Sequence, residues 1–485
     1  MSWLLLYEIL YAIILVVVCL RIVYDTRSTV KTIAYLMLAI FVPFVGIFFY
    51  FSFGINYRKR KIYSKKLFKD EALARQVEQS LLKYSRETLQ QAPAPVQQYK
   101  GMAYLLAKGT SSALTADNDL QLLVNGEQKF PELLKAIEAA KHHIHMEYYI
   151  YEDDEVGRQI ADILIQKAAE GVVVRFVYDD FGSRSIRKKL VGRLRAGGVQ
   201  TFPFFKVHFW RLANRLNYRN HRKLVVIDGQ VGFVGGINIS DRYWNKPTGA
   251  KQIFWRDTHL RIEGPGVTYL QYLFFCDWNF CAAEHLQPDL SYFPGHKAKV
   301  TGKGKIVQIA ASGPDSETPT ILFTLLQAIH RAKKEILITT PYFIPGDSLM
   351  DALVVAAMGG VVIKLLVPGI SDSKLVNAAA YSYYEELLAA GVHIYLYQKG
   401  FVHAKTMVCD QELAIVGTAN MDYRSFDLNF EVNALVYDEE LATKLAQEFD
   451  RDLVHARQIH LAEWRQRPMF KQVLEKIARL TSPLL

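Results

Sequence analysis

Apolar residues follow two different patterns along this 485-residue chain. Near the start they form long runs. Beyond about residue 100 they form short runs and helical stripes separated by polar turns. The first run, from Trp3 to about Val23, is interrupted only by Glu8 and Arg21. The second, from Ile33 to Ile55, holds no charge. Each is about as long as a helix that crosses a bilayer. A transmembrane helical hairpin is therefore expected over residues 1–56, with the second segment the stronger of the two. Pro43 and Gly46 mark kink positions of a kind that membrane helices tolerate. Glu8 leaves an interfacial or re-entrant placement open for the first run. A cleaved signal peptide fits poorly, because no basic stretch precedes the first run and a second run follows at once.

Residues 57–100 read as a basic juxtamembrane segment and linker, polar and helix-favouring from 67 and closing on Ala92-Pro93-Ala94-Pro95. The pattern after it occurs twice. Residues 134–141 (LKAIEAAK) match 326–333 (LQAIHRAK) as amphipathic helices, and apolar strands follow over 144–151 and 336–343. Then come a helix, a Gly-led strand (from Gly171 and from Gly360), a further helix ending at Gly197-Gly198 or Gly391, and another strand. Such alternation predicts an α/β fold: two α/β sandwich halves with a mixed or mostly parallel sheet, in pseudo-twofold arrangement. The repeats proper cover about 120–200 and 310–440, inside halves placed at 101–300 and 301–485. The copies differ before one motif: 23 steps separate Gly198 from His221, against 12 from Gly391 to His403. The longer stretch carries Phe202, Phe204, Phe205, Lys206, His208, Phe209, Trp210, Arg211, Arg215, Tyr218 and Arg219. Aromatics mixed with arginines suit the water–lipid boundary, and equally a loop packed over the interface between halves.

Composition adds membrane residence and a local charge. Hydrophobic residues make up 51% of the chain. Of the net charge of +10, +7 lies in residues 1–70, so the body is near neutral, which weighs against a nucleic-acid-binding surface. Arg58, Lys59, Arg60, Lys61, Lys65, Lys66 and Lys69 follow the second run, whereas the intervening loop offers Arg21, Arg27 and Lys31. The positive-inside rule then places the large C-terminal part in the cytoplasm. Near anionic headgroups each such charge is worth roughly 1 kcal/mol. Cys19, Cys276, Cys281 and Cys409 form no CxxC pair and no zinc pattern, and read as free thiols in a reducing compartment.

The chemistry lies in a phrase that occurs twice: His221, Lys223, Asp228, Gly235, Asn238, and His403, Lys405, Asp410, Gly417, Asn420, with identical spacing. A lone His-x-Lys means little. Two complete copies inside a repeat do not arise by chance. Two imidazoles around one phosphorus supply a nucleophile and a proton donor. On a strand, residues two apart share a face, so each Lys reaches the phosphate its His serves. Lys223 and Lys405 are expected to bind substrate phosphate, Asn238 and Asn420 to add N–H donors, and the glycines to let backbone approach the anion. No carboxylate cluster suggests a metal, and no cofactor is expected.

These paired motifs resemble the HKD motifs of the phospholipase D superfamily over roughly 110–460. With the apolar hairpin, the basic segment, Pro341-Tyr342-Phe343-Ile344-Pro345 and the ending Ser482-Pro483-Leu484-Leu485, the chain is similar to bacterial cardiolipin synthases of the two-transmembrane type. The resemblance implies a ping-pong phosphatidyl transfer between two phosphatidylglycerol molecules with loss of glycerol. It implies a multi-pass protein of the bacterial inner membrane, in contact with anionic lipid. By analogy His221 is the nucleophile and His403 the acid/base, with Lys223, Lys405, Asp228 and Asp410 completing the catalytic motifs. Asp228 and Asp410 are expected to brace the fold by ion pairs. A carboxylate is also expected behind each imidazole: Glu431 for His403, and Asp257 for His221. His142, His143, His145, His208 and His259 read as structural, with His145 the one placed to line the cleft. A membrane phospholipase D that passes the lipid to water would use the same residues. A nucleic-acid phosphodiesterase and a non-catalytic membrane scaffold are the other readings. Self-association is left open.

Overall fold

The computed structural model describes residues 3–26, 29–51, 71–205, 218–246, 253–282, 286–287, 289–294 and 301–482. The basic cluster from Arg58 to Lys69, the loop residues Lys206, His208, Phe209, Trp210, Arg211 and Arg215, and Pro483-Leu484-Leu485 lie outside them.

The two copies of the sequence pattern fold into two copies of one sheet. In the first, the order is Gln200–Phe204, Val173–Asp179, His143–Tyr148, Lys223–Ile227, Val231–Gly235, Thr258–Glu263, Thr115–Val124. The second runs His393–Tyr397, Val362–Pro368, Glu335–Thr339, Thr406–Cys409, Leu413–Gly417, Asn429–Tyr437, Lys305–Ser312, with Ala456–Ile459 added outside. In both, the first three strands are parallel, as helical crossovers demand, and the rest are antiparallel. Thr115–Val124 pairs with Lys305–Ser312 and joins the copies into one sheet.

Both faces of this sheet are covered, which is why its strands read as continuous apolar runs. Val225 and Ile227 face helices Asn125–Glu138, Glu155–Ala169 and Lys189–Ala196. Leu224 and Val226 face the opposite way, into a cluster built around helices Val267–Cys281 and Glu439–Leu453. Val408, Ala414, Val416 and Val432 of the second half enter the same cluster, so the halves share a core. The four cysteines are thiols outside any disulfide; Cys276 and Cys409 are buried.

The apolar N-terminus departs from the expected hairpin. Its first run is one continuous 23-residue helix, Trp3–Asp25. Leu5–Asp25 is long and apolar enough to cross a membrane, with mean hydropathy 2.4. The second run, expected to be the stronger span, is broken into Thr29–Phe41 and Pro43–Phe49. Pro43 has no N–H to continue the ladder, and Val42 leaves helical geometry at φ −135°, ψ 67°. The shorter helix then folds back on the longer: a side chain at Gly46 would collide with the Leu38 carbonyl. Tyr50 Oη accordingly returns to Asp25 Oδ2, 3.1 Å away, at the end of the first helix. Lys31 Nζ lies 3.6 Å from Asp427 Oδ2 on the catalytic body.

Candidate active site

Two short strand pairs cross between the halves and carry the motif histidines. Arg219–Asn220 pairs in parallel with Asn429–Phe430, and the His221 N–H donates to the Phe430 carbonyl at 3.0 Å. Gly400–Val402 pairs in parallel with Phe254–Arg256, and the His403 N–H donates to the Arg256 carbonyl at 2.7 Å. Gly400 permits the second crossing, since a Cβ there would strike the Phe254 carbonyl. One step further in each register, His221 stands beside Glu431 and His403 beside Asp257.

That register corrects the expected partners. His221 Nδ1 lies 2.8 and 2.9 Å from the two oxygens of Glu431, and His403 Nδ1 lies 2.7 Å from Asp257 Oδ2. Each imidazole is backed by the other half's carboxylate, not by the one that follows its own motif. The expectation failed because it followed distance along the chain, whereas the carboxylates are delivered across the interface.

The carboxylates differ. Thr418 Oγ1 and Asn429 Nδ2 also donate to Glu431. Burial alone would raise Glu431, but the charge and hydrogen bond of His221, with Lys223 and Thr418, hold it below the ordinary range. Asp257 receives the backbone N–H of Thr258, and burial pushes it up to about 6. Gly236, at the position equivalent to Thr418, supplies no hydroxyl; its missing Cβ is the space that Asp257 Oδ1 occupies.

Both lysines are buried beside their histidines. Lys223 Nζ donates to the His221 carbonyl at 2.6 Å, and Lys405 Nζ donates likewise to that of His403. Burial, with the repulsion of the other lysine for Lys223, lowers Lys223 to about 7; burial lowers Lys405 to about 8. Burial also lowers His221 to about 4, against the pull of Glu431. His403 is pushed well below its ordinary value by burial, then by Lys405, Lys223 and His221. The four basic groups act on one another in one buried site, and an anion bound there would favour their charged forms.

Other motif residues behave differently from expectation. Asp228 and Asp410 sit at the far ends of strands Lys223–Ile227 and Thr406–Cys409, away from the histidines. Among the described residues neither brace is an ion pair. Asp228 accepts the backbone N–H groups of Lys141, His142 and His143, and Asp410 those of Lys333, Lys334 and Glu335. The motif glycines make room for neighbouring strands rather than for an anion: a Cβ at Gly235 would meet His259, and one at Gly417 would meet Asn433. Asn238 accepts from the Ile150 N–H and donates to Tyr243 Oη at 2.8 Å; Asn420 donates to Asp422 at 3.1 Å. His145 does not line the cleft. It is stacked on Phe274 at 4.3 Å in the core and bonded to Gln271 and Arg175.

Sequence reasoning missed several neighbours. Tyr149 packs its ring 4.8 Å from that of His221. Tyr243, Trp255 and Phe401 surround His403, with ring centroids 5.8, 5.5 and 5.8 Å away. Asn220, bonded to Glu147, and Arg222, paired with Asp277, flank His221 on either side. Adjacency was the available signal for Asn220, Arg222, Phe401 and Trp255, each within two residues of a singled-out His or Asp; Tyr149 and Tyr243 gave none.

With this geometry in view, similarity to known proteins is informative. A family model described as "Cardiolipin synthase, PLD-like domain" matches residues 133–253 and 325–453, more than half of the chain. The chain belongs to the cardiolipin synthase family. A second model, "Phospholipase_D-nuclease N-terminal", matches residues 10–54, the apolar helices. The major cardiolipin synthase ClsA of Bacillus subtilis (strain 168) is 41% identical over 462 residues, covering 95% of each chain. The cardiolipin synthase of Alkalihalophilus pseudofirmus is 40% identical over 484 residues, covering 99% of this chain and 93% of its own. The phosphatidylserine synthase of Haemophilus influenzae Rd KW20 matches in structure with a TM-score of 0.60 at 16% identity, over 79% of this chain and all of that one, and shows the shared fold. As a member of this membrane-associated family, the chain is a phosphatidyltransferase of the phospholipase D superfamily.

Proposed function

We propose that the chain makes cardiolipin from two phosphatidylglycerol molecules through a phosphatidyl-histidine, with residues 101–300 and 301–485 each supplying half of the site. The observation that carries this reading is the pair of imidazoles, each held by a carboxylate from the opposite half and each with its motif lysine buried beside it. With Nδ1 committed to a carboxylate, Nε2 of each ring is left for the substrate. His221 Nε2 attacks the phosphorus, and the bond to the glycerol headgroup oxygen breaks. The departing oxygen takes a proton from His403. A headgroup hydroxyl of the second phosphatidylglycerol then returns a proton to His403 and attacks the same phosphorus. The P–N bond breaks, freeing His221 and cardiolipin. Lys223 and Lys405 hold the non-bridging oxygens, and the remaining amide hydrogens of Asn238 and Asn420 serve the same anion.

His221 is assigned as nucleophile because its carboxylate is the more firmly ionised. Glu431 keeps the ring proton on Nδ1 and the lone pair on Nε2. The bound phosphodiester offsets the repulsion from the lysines and restores the proton His403 needs. The catalytic body is assigned to the cytoplasmic side of the bacterial inner membrane, on anionic lipid. The reversal at Pro43 favours one crossing with a re-entrant second segment over a multi-pass arrangement. Lys31 and Tyr50 then lie at the same end of the first helix, the end that contacts the body.

Product analysis with purified full-length protein in phosphatidylglycerol vesicles tests the reaction. Cardiolipin and glycerol in equal amounts are expected, and none from His221→Ala. Phosphatidic acid as the sole lipid product would make the chain a hydrolase, and an inert protein would make it a scaffold.

A further inference from the structure

The C-terminal helix Met469–Arg479 is built the wrong way round for a helix that only covers a core. A surface helix normally turns its apolar stripe inward. Here Met469, Phe470, Val473, Leu474, Ile477 and the following Leu480 all face outward, Met469 and Leu480 being 79% and 80% exposed. At about 100° per residue they form one continuous arc of about 140°. The inward side is small or polar. Ala478 and Glu475 are buried, and Glu475 is paired with Arg467 at 2.7 Å. The Arg479 guanidinium lies 4.1 Å from the centre of the Tyr383 ring. Polar contacts thus pin the helix while its apolar side stays uncovered by the described residues.

Charge and position identify the occupant. Lys471 and Lys476, both exposed, flank the arc on its two sides. A second copy docking face to face through the same arc would bring these lysines against their counterparts, whereas anionic headgroups would pair with them. The helix also adjoins the membrane anchor. Ala478, Tyr383 and Tyr423 pack in one core cluster, and Lys31 at the body end of the anchor lies 5.5 Å over the Tyr423 ring. An apolar face flanked by lysines, close to the N-terminal apolar helices, fits the interface of the bilayer those helices enter.

We propose that helix Met469–Arg479 is a second membrane contact, its outward apolar face embedded in the interface of an anionic phospholipid bilayer so that the catalytic body is held against the surface that supplies its lipid.

The test uses full-length protein in vesicles of phosphatidylglycerol and phosphatidylcholine, with an environment-sensitive fluorophore on Leu474→Cys. A Glu439→Cys variant, on a helix of the opposite sheet face, is the control, and unsubstituted protein sets the labelling background. At position 474 the label is expected to shift to the blue and to lose at least half its emission to lipid-borne quenchers, with little change at 439. A label at 474 that stays water-like in vesicles, or is quenched no more than at 439, overturns the proposal. So does a label already shielded in detergent by cross-linking to a second copy. This readout needs no turnover, so it stands or falls apart from the proposed reaction. In addition, Leu474→Glu/Ile477→Glu is expected to keep its rate on short-chain phosphatidylglycerol in detergent and to lose about tenfold in vesicles. Equal rates in both settings would also overturn it.

Discussion

Four buried titratable side chains share one small space, and burial drives each histidine and lysine toward its uncharged form. The sign of the resulting pH dependence follows directly. As the proposed nucleophile His221 must be unprotonated, and with its value lowered to about 4 it meets that condition above that pH. Lys223 and Lys405 bind phosphate only when protonated, and with values near 7 and 8 they lose charge as pH rises through that range. For the free enzyme, kcat/KM is therefore expected to rise through an acid limb near pH 4, to decline as His403 loses its proton below the ordinary imidazole range, and to fall further across pH 7–8 as the lysines lose theirs. At saturating lipid the bound anion favours the ammonium forms, so the basic limb of kcat moves to higher pH. A pH series on vesicle substrate checks this; kcat/KM flat from about pH 6 to 9 would mean that the lysines keep ordinary values.

At the scale of elements, short strands carry chemistry and loop aspartates carry stability. Asp410 anchors the turn before strand Glu335–Thr339 by accepting three backbone N–H groups, and it adopts a positive φ of 55°. Asp410→Ala is expected to cost about 2 kcal/mol of stability and to lower Tm, while kcat well below Tm stays within about threefold of the parent. Loss of turnover in a fully folded variant would return Asp410 to the reacting atoms. The motif spacing was legible because His, Lys and Asp lie within eight residues on one strand and turn. The carboxylates were legible as residues but not as partners. Glu431 reaches His221 only through the pairing of Arg219–Asn220 with Asn429–Phe430, some 210 residues apart, and nothing local encodes that register. Pro43 was legible as an interruption; that the chain reverses there depends on Gly46 meeting Leu38, a tertiary contact. The apolar period of helix Met469–Arg479 is present in the sequence, but which way it faces is decided by Arg467 and Tyr383.

For the whole molecule, the pseudo-twofold does more than duplicate a fold. Each half presents a histidine that lacks its carboxylate and a carboxylate that lacks its histidine, so neither half holds a complete site. The shared core of strands from both halves keeps the two crossings in register. Duplication also freed the two positions to diverge. Thr418 donates to Glu431 where Gly236 leaves room for Asp257, and this hydroxyl adds to the pull of His221 and Lys223 that keeps Glu431 ionised, whereas burial pushes Asp257 up to about 6. The proposed division into nucleophile and proton carrier rests on this asymmetry. Rapid acid or denaturant quenching of the full-length protein during turnover of labelled phosphatidylglycerol, followed by mass spectrometry of its peptides, tests this division most directly. A phosphatidyl adduct on the peptide containing His221 is the predicted result. An adduct on His403 instead, or none at any histidine while cardiolipin accumulates, would contradict it.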